Sequence, residues 1–171
     1  VLSVLDRTLA VGGQMVTLRT AAAVYEDVFI PLHGDYQVHN ALLALAAAEA
    51  VFGGRALPAK IVEDGFASVA SPGRMEVLRS SPTVIVDAGH NPHGLGALVP
   101  AVEEAFGFRH LVAVVGAMAD KDVEGILSVL EPACDAVVCV PIDSPRALEA
   151  EDLAVVAREV FGADRVETTD T

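Results

Sequence analysis

The sequence is short of several residue types that mark out whole classes of protein. It has no tryptophan, and aromatic residues make up 5% of its 171 positions, although 53% are hydrophobic. A core must therefore be aliphatic, with Ala and Val dominant. Positive charge is scarce: 11 Lys and Arg face 24 Asp and Glu, a net charge of −13. Nonspecific nucleic-acid or anionic-membrane binding, which needs a basic surface, is excluded. An anionic ligand could be held only at a local positive or dipolar pocket. No apolar run approaches the roughly 18 residues of a membrane span. The opening residues show no basic segment followed by an apolar stretch, so no signal peptide is expected and they read as the middle of a longer protein. The two cysteines, Cys134 and Cys139, match neither a redox C-x-x-C nor a paired zinc knuckle. Two buried, reduced thiols and a cytoplasmic location are expected. Also missing are a G-x-G-x-x-G fingerprint and a G-x-x-x-x-G-K-[ST] phosphate loop.

What is present falls into two stretches. In the first, "TLAVGGQMVTLRT" places two β-rich runs around Gly12-Gly13, a hairpin signal. "YEDVFIPLHG" continues extended to Gly34. An Ala/Leu-rich helix then follows, with Asp35 as its expected N-cap and Gly53-Gly54 as its stop. A second short helix is expected from about Pro58 through "AKIVEDGFASV". "SPGR", Ser71 to Arg74, is the sharpest turn signal in the chain, and it sets a domain boundary at residues 70–75. Beyond it, short apolar runs ("TVIVDAG", "HLVAVVGAM", "DAVVCVPI", "DRVETT") alternate with amphipathic segments. That alternation predicts an α/β domain with a mostly parallel sheet covered on both faces.

Ligands of open parallel sheets bind beyond the carboxyl ends of the strands. Three such loops are expected to carry Asp87, His90, Asp120, Lys121, Asp122, Asp143 and Arg146 toward one rim. Each has a plainer reading. Asp87 could close an Asx turn, Asn91-Pro92 is ordinary turn chemistry, and Asp122 could cap a helix whose start also carries Lys121. His90 and His93 lie three apart, but no further ligand set has metal-site spacing, so no metal site is expected. His33, His39 and His110 are individually uninformative.

Taken in order, "HGDYQVHNALLALAAAE", "SPGRMEV", "VIVDAGHNPHG", "VGAMADKD" and "SPRAL" resemble the folylpolyglutamate synthase/dihydrofolate synthase family of the Mur ligase superfamily. They span roughly residues 32 to 148. The resemblance implies a Rossmann-like C-terminal domain over residues 75–171, a hinge at 71–74, and the end of a Mur-type ATPase domain over 1–70. It implies a monomeric ligase that uses ATP to activate a folate or dihydropteroate carboxylate as an acyl phosphate, which the amine of L-glutamate then attacks. ATP and Mg²⁺ are the implied cofactors, with the Mg²⁺ ligands, the P-loop and the strands after Asp170 lying outside these residues. A Mur-type cell-wall amino-acid ligase and a noncatalytic α/β binding module are the competing readings.

By the same resemblance, Asn40 reaches the adenine, where an amide both donates and accepts. Arg74 contacts the phosphates, which suit its guanidinium fork. Asp87 and His90 lie near the nucleotide and the reacting end, and Lys121 approaches the transferring phosphoryl group. The catalytic candidates are thus His90, Asp87 and Lys121, and the nucleotide-binding candidates are Asn40, Arg74, Asp87 and His90. Two departures stand out. Ala88-Gly89 reverses the family's usual Gly-Ala, and Tyr36 replaces the usual His before Gln37.

Overall fold

The computed structural model describes residues 1–169. They form two compact units, Val1–Ala88 and a second beginning at Gly89. The strands expected beyond Asp170 lie outside the described residues. Among the described residues no helix is long and apolar enough to cross a membrane.

The first unit opens with an antiparallel sheet of β1 (Ser3–Ala10), β2 (Gly13–Arg19) and β3 (Val24–Ile30). The expected hairpin forms with Ala10 opposite Gly13, which leaves Val11 and Gly12 as its turn. A side chain at Gly13 would strike the Ile30 carbonyl oxygen at 2.2 Å, so β2 and β3 close only around a glycine. The two-residue strand period places Val16 and Leu18 on one face, joined by Val28 and Ile30. The helix α1 (Asp35–Val51) lays Val38, Leu42 and Leu45 on that face at helical spacing, and α2 (Ala59–Ala67) adds Val62. Each fully buried aliphatic side chain contributes about 1.5–3 kcal/mol. The helix stops as expected at Gly53 and Gly54, whose φ angles are 81° and 72°. There the Gly54 N–H donates to the Glu49 carbonyl at 2.8 Å.

The start of α1 corrects one expectation. Gly34, not Asp35, is the N-cap residue; Asp35 is the first helical residue. The cause is a buried amide. Gln14 Nε2 donates to the Leu32 and Gly34 carbonyls at 2.8 and 2.9 Å, and its Oε1 accepts from Arg7 Nε at 2.5 Å. Strand β2 thereby fixes where α1 begins, with Gly34 in a left-handed turn at φ 91°.

The strands β4 (Glu76–Ser80) and β5 (Thr83–Val86) pair antiparallel as a separate two-stranded sheet. This overturns the expectation that "TVIVDAG" supplies the first parallel strand. An apolar run of four residues is compatible with either kind of pairing, and the nearby turn at Ser81-Pro82 gives β5 a sequence-adjacent partner. The Ser71–Arg74 turn, expected as a hinge, therefore lies inside the first compact unit. The Ala88 N–H donates to the Gly73 carbonyl at 2.8 Å, tying the end of the hairpin to its beginning.

The second unit alternates α3 (Pro92–Ala105), β6 (Val112–Val115), α4 (Val123–Leu130), β7 (Ala136–Cys139), α5 (Ala150–Phe161) and β8 (Val166–Thr168). Its sheet is parallel in the order β6-β7-β8. Leu127, Val137, Leu153 and Ala157 anchor its core. Along β6, Ala113 and Val115 pack inward, while Val112 and Val114 are 51% and 66% exposed among the described residues.

Candidate functional site

In the first unit the chemistry gathers around the Ser71–Met75 turn. Gly73 has φ 69°, and Met75 follows at φ 47°, a left-handed conformation that a non-glycine residue rarely adopts. Met75 is also buried, at 2% exposure. Two carboxylates hold this turn. Glu76 Oε2 accepts from the Gly73 N–H at 2.8 Å, and Asp87 Oδ2 accepts from the Met75 N–H at 2.9 Å. The other Asp87 oxygen, Oδ1, lies 3.8 Å from Arg74 Nη1. The Asp87 side chain is only 9% exposed, whereas that of Arg74 is 45% exposed. A shielded acid thus restrains a guanidinium that still reaches solvent.

Helix α1 brings Tyr36 into the same field. Burial raises the Tyr36 phenol above its ordinary value, the negative charge of Asp87 adds to this, and Arg74 and a hydrogen bond with Gln37 oppose it. Sequence reasoning had treated Tyr36 only as a departure from the family. One turn on, Asn40 is exposed and its Nδ2 donates to Oε1 of the buried Gln37 at 3.2 Å. Beside the turn lies a cleft of about 340 Å³, lined by Gly12, Pro31, His33, Ala70, Arg74 and Met75 among others. Burial pushes the His33 imidazole below its usual value, favouring its neutral form. Met75 and His33 were not singled out from sequence. Only the Pro-Gly immediately before Arg74 signalled an unusual backbone there.

In the second unit the loops after β6 and β7 meet. Met118 bridges to Ala147, and the Ala119 N–H donates to the Arg146 carbonyl at 2.9 Å. Asp120 Oδ2 lies 3.6 Å from Lys121 Nζ and 3.8 Å from Arg146 Nη1. Two cations thus share one carboxylate. Asp143 is exposed on the loop that carries Arg146. Asp122 caps α4 as expected, accepting from the Gly125 N–H at 2.9 Å, and Asn91 caps α3 by accepting from the Gly94 N–H at 2.8 Å. The two helix starts touch, because a Cβ on Gly125 would come within 2.7 Å of Pro92 Cγ. His90, exposed one residue before the α3 cap, and Lys121, one residue before the α4 cap, therefore flank adjoining helix N-termini.

The seven residues expected on one rim thus divide. Asp87 closes an antiparallel hairpin beside Arg74 in the first unit, and the other six belong to the second. In the first unit, a half-exposed guanidinium and an exposed amide are donors that suit phosphate oxygens and a heterocycle edge. Among the described residues no group of three or more His, Cys, Asp or Glu side chains could hold a metal ion.

Residues 73–171 match the family described as Mur ligase, glutamate ligase domain. That match starts inside the Ser71–Arg74 turn, so it takes in the β4–β5 hairpin, which by compactness sits with the first unit. The chain is 52% identical over 171 residues to a dihydrofolate synthase/folylpolyglutamate synthase of Mycobacterium tuberculosis, covering 98% of this chain and 35% of that protein. Its structure resembles Mycobacterium tuberculosis folylpolyglutamate synthase complexed with ADP and AMPPCP, with a TM-score of 0.96 and 51% identity over 99% of this chain and 38% of the other. It also resembles Escherichia coli FolC in complex with DHPP and ADP, with a TM-score of 0.78 and 30% identity over 96% and 37% of the two chains. The chain belongs to the Mur ligase superfamily and, within it, to the folylpolyglutamate synthase/dihydrofolate synthase family. It spans little more than a third of the length of these relatives.

Proposed function

We propose that these residues serve an ATP-dependent ligase that adds L-glutamate to folates, with dihydrofolate synthesis as a second activity of the same site. The observation that carries this reading is the Arg74–Asp87 arrangement, formed by the two motifs on which the family resemblance rests. The relatives' names, and the ADP, AMPPCP and DHPP bound in their structures, support it. Residues 1–70 are assigned to the end of the ATPase domain and 75–171 to the Rossmann-like C-terminal domain.

In this reading the γ-phosphoryl group of ATP passes to a folate carboxylate, giving an acyl phosphate and ADP. The glutamate amine then attacks the acyl carbon, an amide forms, and phosphate leaves. No nucleophile from the protein is required. Arg74 binds phosphate oxygens, and Asn40 reads the adenine edge. Lys121 offsets charge on the transferring phosphoryl group, and His90 orders the reacting phosphate. Mg²⁺, when bound, would supply further charge neutralisation, with its ligands mainly outside these residues. A cytoplasmic setting fits the two buried free thiols.

The sequence contains no G-x-x-x-x-G-K-[ST] loop to cradle the phosphates with backbone N–H groups. The 171-residue chain by itself should therefore release no phosphate from ATP when given folate and glutamate. A longer protein that joins it to such a loop should do so only when both are present. Turnover by the 171 residues alone would refute this assignment, and turnover with cell-wall precursors instead of folates would favour the Mur-type alternative.

A further inference from the structure

We infer that Arg146 is a substrate-binding residue that takes a carboxylate of the incoming L-glutamate. This deepens the proposed function and rests on that reading for Lys121 and for the reaction. Arg146 lies on the loop after β7, at the carboxyl end of a parallel sheet, where ligands of such sheets bind. Its backbone is held through both polar groups. The Ala119 N–H donates to the Arg146 carbonyl at 2.9 Å, and the Arg146 N–H donates to Ser144 Oγ at 3.3 Å. The Met118–Ala147 bridge and a 2.9 Å bond from the Leu148 N–H to the Ala117 carbonyl extend the contact. The loops after β6 and β7 are thereby tied side by side. The Arg146 side chain, by contrast, is 66% exposed. A fixed base carries an open guanidinium.

The neighbours of this guanidinium point to the chemistry of its ligand. Asp120 Oδ2 lies 3.8 Å from Arg146 Nη1 and 3.6 Å from Lys121 Nζ, so guanidinium and ammonium are neighbours across one oxygen. Both separations are longer than a hydrogen bond, so neither cation commits an N–H donor to Asp120. A planar fork suits a carboxylate, which it can meet with two parallel N–H···O bonds. In the proposed reaction Lys121 offsets charge on the transferring phosphoryl group. The glutamate amine must then reach the acyl carbon that bears this group, and its carboxylates lie only a few bonds from that amine. A carboxylate held at Arg146 therefore delivers the amine beside Lys121.

The test uses the full-length enzyme with Arg146→Ala, Arg146→Lys and, as a control, Arg109→Ala, an exposed arginine that precedes β6. The KM is measured for L-glutamate, ATP and folate in turn, each with the other two saturating. Arg146→Ala should raise the KM for L-glutamate at least about tenfold, the effect of losing a hydrogen bond to a charged group. The KM values for ATP and folate should hold, and kcat should change much less, as when a binding contact alone is lost. Arg146→Lys keeps the charge without the fork, so its KM for L-glutamate should rise less. Arg109→Ala should leave all three constants unchanged. The alanine variant retains both backbone bonds at position 146, so its thermal unfolding should match the wild type. An unchanged KM for L-glutamate in Arg146→Ala would overturn the inference. So would a rise confined to ATP, which would place a phosphate at the guanidinium, or a fall in kcat with every KM unchanged. A matching rise in Arg109→Ala would overturn it too, as a general effect of charge. Should Arg146→Ala not fold, the glutamate KM of Arg146→Lys decides alone. Wild-type enzyme that turns over without glutamate would instead refute the proposed function, whatever the variants do.

Discussion

Gly125 and Pro92 touch: a Cβ on the glycine would stand 2.7 Å from Pro92 Cγ and 2.4 Å from Asp122 Oδ2. The contact locks the first turn of α4 against the first turn of α3, beside Lys121 and His90.

Gly125→Ala measures that contact. Alanine has the better intrinsic helix propensity, by about 1 kcal/mol. Against this stand overpacking on a rigid proline ring, about 1–3 kcal/mol, and disturbance of the Asp122 cap, about 1 kcal/mol. The net expectation is a loss of about 1–3 kcal/mol in denaturant unfolding. A more stable Gly125→Ala protein would mean that the two helix starts do not meet.

Cys134 makes a pH prediction. Burial, with a smaller push from Asp135, raises its thiol from the ordinary 9.0 to about 11. Between those two values the folded state keeps a proton that the unfolded chain releases, so stability is fully present below pH 9.0 and is lost as pH rises toward about 11. Thermal unfolding should show a falling Tm across that window, and Cys134→Ala should flatten part of the fall. A slope indifferent to the substitution would place the pH dependence elsewhere, with Cys139, raised by the same burial, as the first candidate.

Much of this architecture was legible in the sequence because local chemistry sets it. The Gly12 turn, the Gly53-Gly54 stop and the Asp122 cap each follow from one or two residues. The failures have a different cause. Whether Thr83–Val86 pairs with β4 or joins a parallel sheet is a question of nonlocal pairing that four apolar residues do not answer. Gln14 is polar, yet it shares the inward alternation of Val16 and Leu18, and its burial depends on carbonyls at Leu32 and Gly34. The site divides in the same way. The motif order pointed to Arg74 and Asp87, but the left-handed Met75 that links them has no signature beyond the Pro-Gly preceding Arg74.

Arg74 carries the next prediction. In the full-length enzyme Arg74→Ala should weaken ATP use by about 1.5–3 kcal/mol, the range for a hydrogen bond to a charged group. Arg74→Lys should recover only part of this, because an ammonium lacks the planar fork that meets two phosphate oxygens. The measurement is kcat/KM in ATP at saturating folate and glutamate. Lysine kinetics equal to wild type would reduce Arg74 to a turn residue.

His90 and His93 provide an internal control for the last prediction. Both are exposed and lie three residues apart, on either side of the Asn91 cap. His90 precedes the capped turn, next to the start of α4 through the Pro92–Gly125 contact. His93 is the second residue of α3, where an exposed imidazole has little to do for stability. If His90 orders the reacting phosphate, His90→Ala should lower turnover far more than it lowers Tm. His93→Ala should change both only slightly, within about 0.5 kcal/mol in stability. A general-base role for His90 is not part of the prediction, since proton removal from the glutamate amine requires hydrogen-bond reach to that amine. ATP affinity, turnover and thermal unfolding of the two variants in the full-length enzyme separate the possibilities. A large kinetic loss confined to His90 supports a role at the phosphate. Equal, minor effects at both positions would leave "DAGHNPHG" as a turn whose work is done by Asp87 and the Asn91 cap.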